Sequence, residues 1–318
     1  MSRLNEAEII GIFSSKLKIS DLDDVAIANL GRLQSGGRIA LKCDMLVAST
    51  DVPPTMTPEQ TARKSIVACV SDFASKGIRP LAAMVALALP SDVTPSYVAG
   101  LAKGFAGASR EFGVSIIGGD TNSISNETVI DCSMIGIAPA SIPKRNGAMP
   151  GDAVAVSGTF GLQSAGLKIL LHGARAAKQF EKKAVRSVLR PEPAIKFGLG
   201  LSRYFSASMD SSDGLAISLY TIASQSRADI VIESMPAERG LGEFARENGY
   251  DPEGLALFGG EEYEIVCTIP KNRISAAIRA AKASKVRLIQ IGKVVEGSGK
   301  VLYRGKAIER KGYDHFAR

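Results

Sequence analysis

The residues of this chain with the clearest chemical potential are aspartates that stand beside or inside short apolar segments. They are Asp23, Asp24, Asp44, Asp72, Asp120, Asp210 and Asp213. Asp44 is the hardest to explain as a structural residue, because it interrupts the apolar strand predicted over 38–49. An ionised carboxylate in such a strand costs several kcal/mol unless it is paired or bound to a metal. Asp72 falls inside a predicted helix, on a face of small residues that another group can approach closely.

Few basic residues stand near these aspartates in the sequence. Carboxylates that converge without cations require a divalent metal, and oxygen-only ligands select Mg²⁺ or Mn²⁺ rather than zinc. Mg²⁺ held by carboxylates, waters and phosphate oxygens is the usual arrangement for phosphoryl transfer. The aspartates therefore predict a magnesium-bound phosphate site.

Several of these aspartates also have a purely structural interpretation. Asp210 and Asp213 frame a turn before a predicted helix, where aspartate is a common cap. Asp120 follows two glycines and suits a turn, while Asp23 and Asp24 suit a solvated loop. The residues alone leave both interpretations open.

Three further features are equally open. Arg145 is either a solvated loop charge or a planar cation that reaches a phosphate. Gly118-Gly119 either forms a plain turn or exposes backbone N–H groups to an anion. Glu261-Glu262 follows two glycines and is compatible with a simple turn.

Other catalytic signatures do not occur in the sequence. It contains no GxxxxGK[ST] phosphate loop, no GxGxxG after a strand and no GxSxG motif. Its two histidines exclude HExxH chemistry, and its four scattered cysteines without a CxxC pair predict neither a zinc site nor a disulfide framework.

Length and composition are those of a folded protein with a real core. The chain has 318 residues, 45% of them hydrophobic and 22% charged. The longest apolar stretch, 81–90, is only half as long as a helix that crosses a bilayer, and the N-terminus lacks the hydrophobic core of a signal peptide. We therefore expect a cytoplasmic protein without membrane contact. The net charge of +7 favours anionic partners. Dispersed basic residues and only 6% aromatics argue against nucleic acid, and small anionic ligands explain the charge as well.

The elements that must position these residues alternate between strands and helices. Strands are predicted over 38–49, 81–89, 114–117 and 128–137, with helices over 57–76 and 94–112. Thr57, Pro58 and Gln60 form a capping box at the first helix. The segment 141–152 contains two prolines and two glycines and is typical of a domain seam. Strands at 153–157, 230–233, 264–269 and 288–294 follow, with helices at 162–171, 178–189, 194–204 and 215–226. We expect two α/β domains, 1–140 and 150–318.

The order of the motifs along the whole chain resembles that of thiamine-monophosphate kinase. The matching segments are Asp23-Asp24, 44–47, 70–77, 117–121, 150–152, 210–215, 259–264 and the C-terminal 311–316. Single motifs are shared with aminoimidazole ribonucleotide synthetase, selenophosphate synthetase and the hydrogenase maturation factor HypE. The Gly-Tyr-Asp-His-Phe ending together with Gly-Gly-Glu-Glu-Tyr-Glu is similar to the kinase branch.

The resemblance implies an α/β (α+β) fold with an N-terminal domain whose strands pair across a homodimer into a β-barrel. A C-terminal α/β sandwich domain folds over it. ATP is implied as co-substrate between the domains, with several Mg²⁺ ions on its phosphates. The implied reaction is direct transfer of the γ-phosphoryl group to thiamine monophosphate. A related synthetase that activates an amide or similar oxygen is the alternative, and a nucleic-acid-binding protein is a third hypothesis.

The resemblance also assigns roles residue by residue. The metal positions are matched by Asp24, Asp44, Asp72, Asp120, Asp210 and Asp213, of which Asp44, Asp120 and Asp210 are central to catalysis. The nucleotide positions are matched by Gly119, Arg145 and Ser212. The substrate positions are matched by Asp51, Glu261 and Tyr313. The chain departs from the pattern at Lys42-Cys43, where many relatives carry Ser-Thr, and at Asp51, where many carry histidine. A backbone carbonyl would then substitute for the lost hydroxyl ligands, or Lys42 would replace the charge of one metal ion, which leaves the number of metal ions open.

Overall fold

The computed structural model describes Asp23, residues 25–29 and residues 38–316; the predicted metal residue Asp24 lies outside them. Over this part of the chain, two mixed sheets and their flanking helices give the expected α/β class. No helix within the described ranges is long and apolar enough to cross a membrane.

The first sheet has five strands in the order β1-β2-β5-β3-β4, with β3 and β4 parallel and the other pairs antiparallel. The strands are β1 (Ala26–Asn29), β2 (Arg38–Val47), β3 (Arg79–Pro90), β4 (Ser115–Ile124) and β5 (Val129–Ala138). Helices α1 (Ala48–Asp51), α2 (Pro58–Ser75) and α3 (Pro95–Phe112) belong to the same half of the chain.

The two faces of this sheet differ sharply. Along β5, Ile130, Cys132 and Met134 are buried, while the alternate residues point to the other side. The buried face packs against α2 and α3. The open face carries large apolar side chains, among them Ile117 and Ile137, which are 67% and 62% exposed. In a single chain the sheet is open, and its described strands form no closed barrel.

Helix α2 is the central element of the molecule. The predicted capping box is confirmed, because Thr57 and Gln60 cap the first turn reciprocally and Pro58 begins the helix. Fourteen of its eighteen residues are buried. A surface helix buries about half of its residues, so α2 must be covered on more than one side.

The second sheet has seven strands in the order β12-β11-β8-β10-β6-β9-β7. They are β6 (Ala153–Val156), β7 (Ala207–Ser211), β8 (Ala228–Ile232), β9 (Glu264–Ile269), β10 (Ile289–Glu296), β11 (Val301–Tyr303) and β12 (Lys306–Ala307). The helices are α4 (Leu162–His172), α5 (Lys178–Leu189), α6 (Ile195–Leu201), α7 (Leu215–Ser226), α8 (Leu241–Asn248), α9 (Pro252–Phe258) and α10 (Ile274–Ala283), and a 3-10 turn covers Ser202–Tyr204.

The second half of the chain packs directly against α2. The Ser208 hydroxyl on β7 donates to the carbonyl of Ser75 at 2.5 Å, and the Lys76 ammonium donates to the carbonyl of Ser208 at 2.6 Å. Ala74 belongs to the same apolar cluster as Phe197 and Ile265. Helix α2 therefore carries its side chains into the seam between the two sheets.

Two local predictions were wrong. The strand predicted over 114–117 does not end before Gly118-Gly119-Asp120, because these residues are the middle of β4, which runs on to Ile124. Asp210, expected in a turn, lies in strand β7, so only Asp213 belongs to the turn before α7. Both strands are stabilised by neighbouring strands rather than by local preference.

Candidate active site

The first cluster of the site lies where β2 faces α2. Lys42 and Asp44 are two residues apart on β2 and therefore share a face. The Lys42 ammonium lies 2.8 Å from Asp72 on α2 and 3.4 Å from Asp44. The small-residue face around Asp72 thus admits a lysine side chain, and both predicted metal carboxylates meet at one cation.

The charge on Lys42 is firmly held. Burial alone would lower the pKa of the Lys42 ammonium, but the carboxylates of Asp72 and Asp44, with a smaller contribution from Asp210, raise it well above its ordinary value. Asp210, 4% exposed on β7, comes from the other half of the chain. Two of the predicted metal residues therefore meet at Lys42, and Asp210 lies near enough to act on the same ammonium from across the seam.

A second buried lysine joins the N-terminal segment to the seam. Lys76 is fully buried, and its ammonium lies 2.7 Å from Asp23. Arg145, from the connection between the halves, lies 3.8 Å from the same carboxylate. Asp23 is therefore not the solvated loop residue that the sequence suggested, and Arg145 points toward the seam.

A third buried lysine organises the predicted substrate end. The Lys64 ammonium forms a short ion pair with Glu261 and donates to the carbonyl of Asp51 at 2.5 Å. The carboxylate of Asp51 accepts a hydrogen bond from the amide of Val47 at 2.7 Å. Lys64 on α2 thereby links the end of α1 to the loop after α9.

The loop that carries Glu261 has an unusual backbone. Glu261 and Tyr263 have φ values of 63° and 51°, in the left-handed region that is costly for residues with a side chain. Their amides donate to the carbonyls of Ser212 and Ser211 at 2.5 and 3.1 Å. A Cβ atom on Gly260 would lie 2.7 Å from the Ser212 carbonyl, so only glycine permits this contact. The loop is thus held against the Asp210–Gly214 segment.

The C-terminal segment completes this end of the site. The amide of Tyr313 donates to the carbonyl of Asp213 at 2.9 Å. Burial and the nearby carboxylates of Asp51 and Glu261 raise the pKa of Tyr313. The ring remains 44% exposed and makes an edge contact with His315. Asp51, Glu261 and Tyr313 are therefore neighbours, as their predicted shared role requires.

Asp120 is not part of this cluster within one chain. The strand register places Asp44 in a row with Cys132, Val85 and Gly119 on the covered face. Asp120 lies in the adjacent row with Asp131, which points to the open face.

Gly119 has a packing role of its own. A Cβ atom at this position would lie 1.9 Å from the Val85 carbonyl of β3. Close pairing of β3 and β4 therefore requires glycine here, whether or not a nucleotide binds. Ser212, the other small residue predicted to bind nucleotide, is exposed in the turn after β7.

The donor set fits magnesium by its chemistry, because Asp44, Asp72 and Asp210 offer only oxygen ligands. Among the described residues, no three acidic, histidine or cysteine side chains lie close enough to hold a metal ion alone. Waters and phosphate oxygens would therefore have to complete the coordination, as is usual for Mg²⁺.

A buried acid lies beside the substrate loop. Glu262 is 6% exposed and accepts a hydrogen bond from the amide of Gly161 at 2.6 Å. Burial raises its pKa to about 8, opposed by that hydrogen bond and assisted by the nearby charge of Glu264. Glu262 is therefore largely protonated at neutral pH and anchors the loop to the start of α4.

Sequence reasoning missed the three lysines as a group. It expected few cations near the aspartates, yet Lys42, Lys64 and Lys76 all lie among them. A signal was present, since charged residues recur at Lys64, Asp72 and Lys76 in, and directly after, the largely buried helix α2. The interval of four residues places Asp72 and Lys76 about one turn apart on the same side.

The site can therefore bind a polyanion and a second charged molecule side by side. Its phosphate end has the carboxylates of Asp44, Asp72 and Asp210 for metal, with Lys42 among them. Its other end has Asp51 and Glu261, two carboxylates beside the exposed ring of Tyr313, which suits a cationic aromatic group.

Known proteins share both the sequence and the fold. The family model described as AIR synthase related protein, N-terminal domain, matches residues 22–138. The thiamine-monophosphate kinase of Nitrosopumilus maritimus is 42% identical over 319 residues, which cover 99% of this chain and 100% of that protein. The thiamine-monophosphate kinase of Pyrococcus abyssi is 33% identical over an alignment that covers 99% of this chain and 96% of that protein.

Among solved structures, that of AaThiL complexed with AMPPCP and TMP superposes with a TM-score of 0.88 at 31% identity and covers 99% of each chain. Because identity of this level extends over the full length of the relatives, the resemblance noted in the sequence is confirmed. The chain belongs to the thiamine-monophosphate kinase family.

Proposed function

We propose that this chain transfers the γ-phosphoryl group of ATP directly to the phosphate of thiamine monophosphate, giving thiamine diphosphate and ADP. The observation that carries the proposal is the meeting of Asp44 and Asp72 at Lys42, with Asp210 from the other half of the chain near the same ammonium. Its other end presents Asp51, Glu261 and Tyr313. Membership of the kinase family supports the same conclusion.

The chemistry asks the protein for alignment and charge compensation. Both reacting groups are anionic phosphates, so repulsion is the main obstacle and positioning supplies most of the acceleration. The acceptor phosphate is ionised at neutral pH and needs no strong base. The two described histidines, His172 and His315, are therefore not required as proton acceptors.

We place several Mg²⁺ ions between the triphosphate and the carboxylates of Asp44, Asp72 and Asp210. Asp213, in the turn after β7, and Asp24, outside the described residues, are further proposed ligands. Bound Mg²⁺ would neutralise phosphate charge as it develops in the transition state. Arg145 is proposed to reach a phosphate from the seam, beside Gly119 and Ser212.

At the acceptor end, the side chains are proposed to hold the cationic thiamine ring. Tyr313 offers a half-exposed aromatic face, and the carboxylates of Asp51 and Glu261 lie near it. Lys64 forms an ion pair with Glu261, which connects the acceptor end to helix α2. This coupling aligns the acceptor with the phosphates that Asp72 helps to bind from the same helix.

We further propose two domains, 1–140 and 150–318, and a homodimer in which two first sheets close a barrel through their open faces. The support is the apolar open face, with Met45, Met84, Ile117 and Ile137 each more than half exposed. Asp120 lies on this face and would act in the site of the partner.

Because ATP is the donor, we place the reaction in the cytoplasm.

The dimer proposal has a direct test in mixed subunits. Asp44→Asn and Asp120→Asn homodimers are each expected to be inactive. Mixing them by partial unfolding and refolding should restore about a quarter of parental turnover, because half the dimers are mixed and each has one intact site. No recovery, with mixed dimers verified by a size tag, would place Asp120 within its own chain's site or outside any site.

The function itself is tested by product analysis. Purified protein with ATP, Mg²⁺ and thiamine monophosphate should form ADP and thiamine diphosphate in equal amounts. Unphosphorylated thiamine serves as the control acceptor and should give no thiamine diphosphate. ADP formed without thiamine diphosphate would refute direct transfer, and no turnover under any condition would refute the proposed function.

A further inference from the structure

The side chain of Lys42 lies where a cation of the phosphate site would be expected. Its ammonium is 2.8 Å from the Asp72 carboxylate and 3.4 Å from that of Asp44. These two aspartates come from different elements, β2 and α2, and face each other across the covered side of the first sheet. Lys42 therefore bridges them as a shared metal ion would.

This position is built into the fold. Lys42 stands opposite Met134 in the β2–β5 register, and Met134 is 1% exposed, so the lysine stem leaves the sheet on its covered side. Helix α2 closes this side, and its Asp72 side chain is only 7% exposed. A charge fixed between two strands and a buried helix cannot drift away as a surface lysine can.

The charge balance explains why the position matters. Asp44 and Asp72 present two carboxylates to one ammonium, so Lys42 supplies a positive charge between them without a metal ion. An ammonium within ion-pair distance of both Asp44 and Asp72 repels a second cation from the space between them. Oxygen atoms of Asp44 and Asp72 that do not face the ammonium would remain available to metal ions beside the triphosphate.

Building on the proposed function, we propose that the Lys42 ammonium replaces one divalent ion of the phosphate site. The protein would then bind one metal ion fewer per ATP than its carboxylates could hold without the lysine. Lys42 acts as a fixed cation that compensates Asp72 and Asp44 and neutralises phosphate charge at all metal concentrations.

The experiment counts metal ions rather than turnover. Mn²⁺ bound per chain is measured by equilibrium dialysis and by the electron paramagnetic resonance signal of free Mn²⁺, with a non-hydrolysable ATP analogue at saturation. The variants are Lys42→Ser, which removes the charge and offers an oxygen ligand, and Lys42→Arg, which keeps the charge. Lys103→Ser is the matched control, because Lys103 forms an ion pair of the same length with Glu59 on the surface.

Lys42→Ser should bind one Mn²⁺ more per chain than the parent, while Lys42→Arg and Lys103→Ser should keep the parental number. An unchanged number in Lys42→Ser would overturn the proposal. If circular dichroism shows that Lys42→Ser is unfolded, Lys42→Met fills the same space and must show the extra ion. Counting is independent of phosphoryl transfer, so an inactive parent would refute the proposed function without affecting this result.

Discussion

The contact between helices α2 and α6 allows a precise test of how the two halves of the chain are held together. A Cβ atom added to Gly198 would lie 1.8 Å from the carbonyl oxygen of Ala74, two residues after Asp72. Real Cβ atoms do not approach closer than about 3.0 Å, so Gly198→Ala must move α6 away from α2 by about 1 Å.

The cost of that movement follows from the contacts it disturbs. Overpacking of a buried contact costs about 1–3 kcal/mol. The two hydrogen bonds that join Ser208 to Ser75 and Lys76 would lengthen, at about 1 kcal/mol each. We therefore expect Gly198→Ala to lower the free energy of unfolding by about 2–4 kcal/mol, although alanine is intrinsically favoured over glycine in a helix.

Turnover should fall as well. Asp72 lies on α2, and Asp210 lies on β7 beside the disturbed contact. A misplacement of about 1 Å between such groups costs on the order of 100-fold in rate. Stability is measured by urea unfolding, and kcat by coupled ADP release at saturating substrates.

The matched control is Gly107→Ala in α3, where an added Cβ meets nothing within 4 Å. This variant should be as stable as the parent or slightly more stable, with unchanged kcat. Parental stability and kcat in Gly198→Ala would refute the close packing of α6 on α2 and, with it, the shared site.

Three further predictions concern single side chains. Asp44→Asn should lower kcat by about 100-fold or more, because one negatively charged metal ligand is lost, while thermal unfolding stays cooperative. A variant with parental kcat would contradict the role of Asp44. Tyr313→Ala should raise the KM for thiamine monophosphate about tenfold and Tyr313→Phe should leave it near parental, since the ring face rather than the hydroxyl contacts the cation; equal KM values for both variants would contradict this contact. The pKa of Glu262 is raised from its ordinary value of 4.5 to about 8, so its neutral form stabilises the fold fully below pH 4.5, and that stability is lost as the pH rises toward 8. Glu262→Gln should remove up to about 1.4 kcal/mol per pH unit of this dependence in urea unfolding between pH 5 and 8, whereas identical pH profiles would show that Glu262 titrates normally.

Local signals accounted for much of the fold. The N-terminal boundary of α2 followed from Thr57, Pro58 and Gln60, whose contacts lie within one turn of helix. Gly113 ended α3 in the left-handed conformation, as glycine at that position indicates. These features depend on neighbours in the sequence, so the sequence was sufficient to predict them.

Other features depended on distant partners and were not predictable in this way. Gly118-Gly119 signals a turn locally, but pairing with β3 draws it into a strand and requires Gly119 at the contact with Val85. The short strand of Asp210 has few β-forming residues and exists because β9 pairs with it. Tertiary pairing outweighed local preference at both places.

The candidate site shows the same division. The aspartates were identifiable because a carboxylate inside an apolar segment is costly, and Asp44 and Asp72 do meet at Lys42, with Asp210 near them. Lys42 was identifiable only through the family resemblance, and Lys64 was not identifiable, because it meets Glu261 across 197 positions of sequence. The placement of Asp120 on the opposite face of the sheet required the strand register. Its role therefore stays a prediction that the mixed-subunit experiment can decide.

The central claim is that Asp44, Asp72 and Asp210 together hold the metal ions of bound ATP. Crystals grown with Mn²⁺ and a non-hydrolysable ATP analogue, measured at a wavelength where manganese scatters anomalously, test this claim most directly. The account predicts anomalous peaks in contact with analogue phosphates and with carboxylates from both halves of the chain. Peaks that touch the phosphates but none of these three aspartates, or an analogue bound away from the seam, would contradict it.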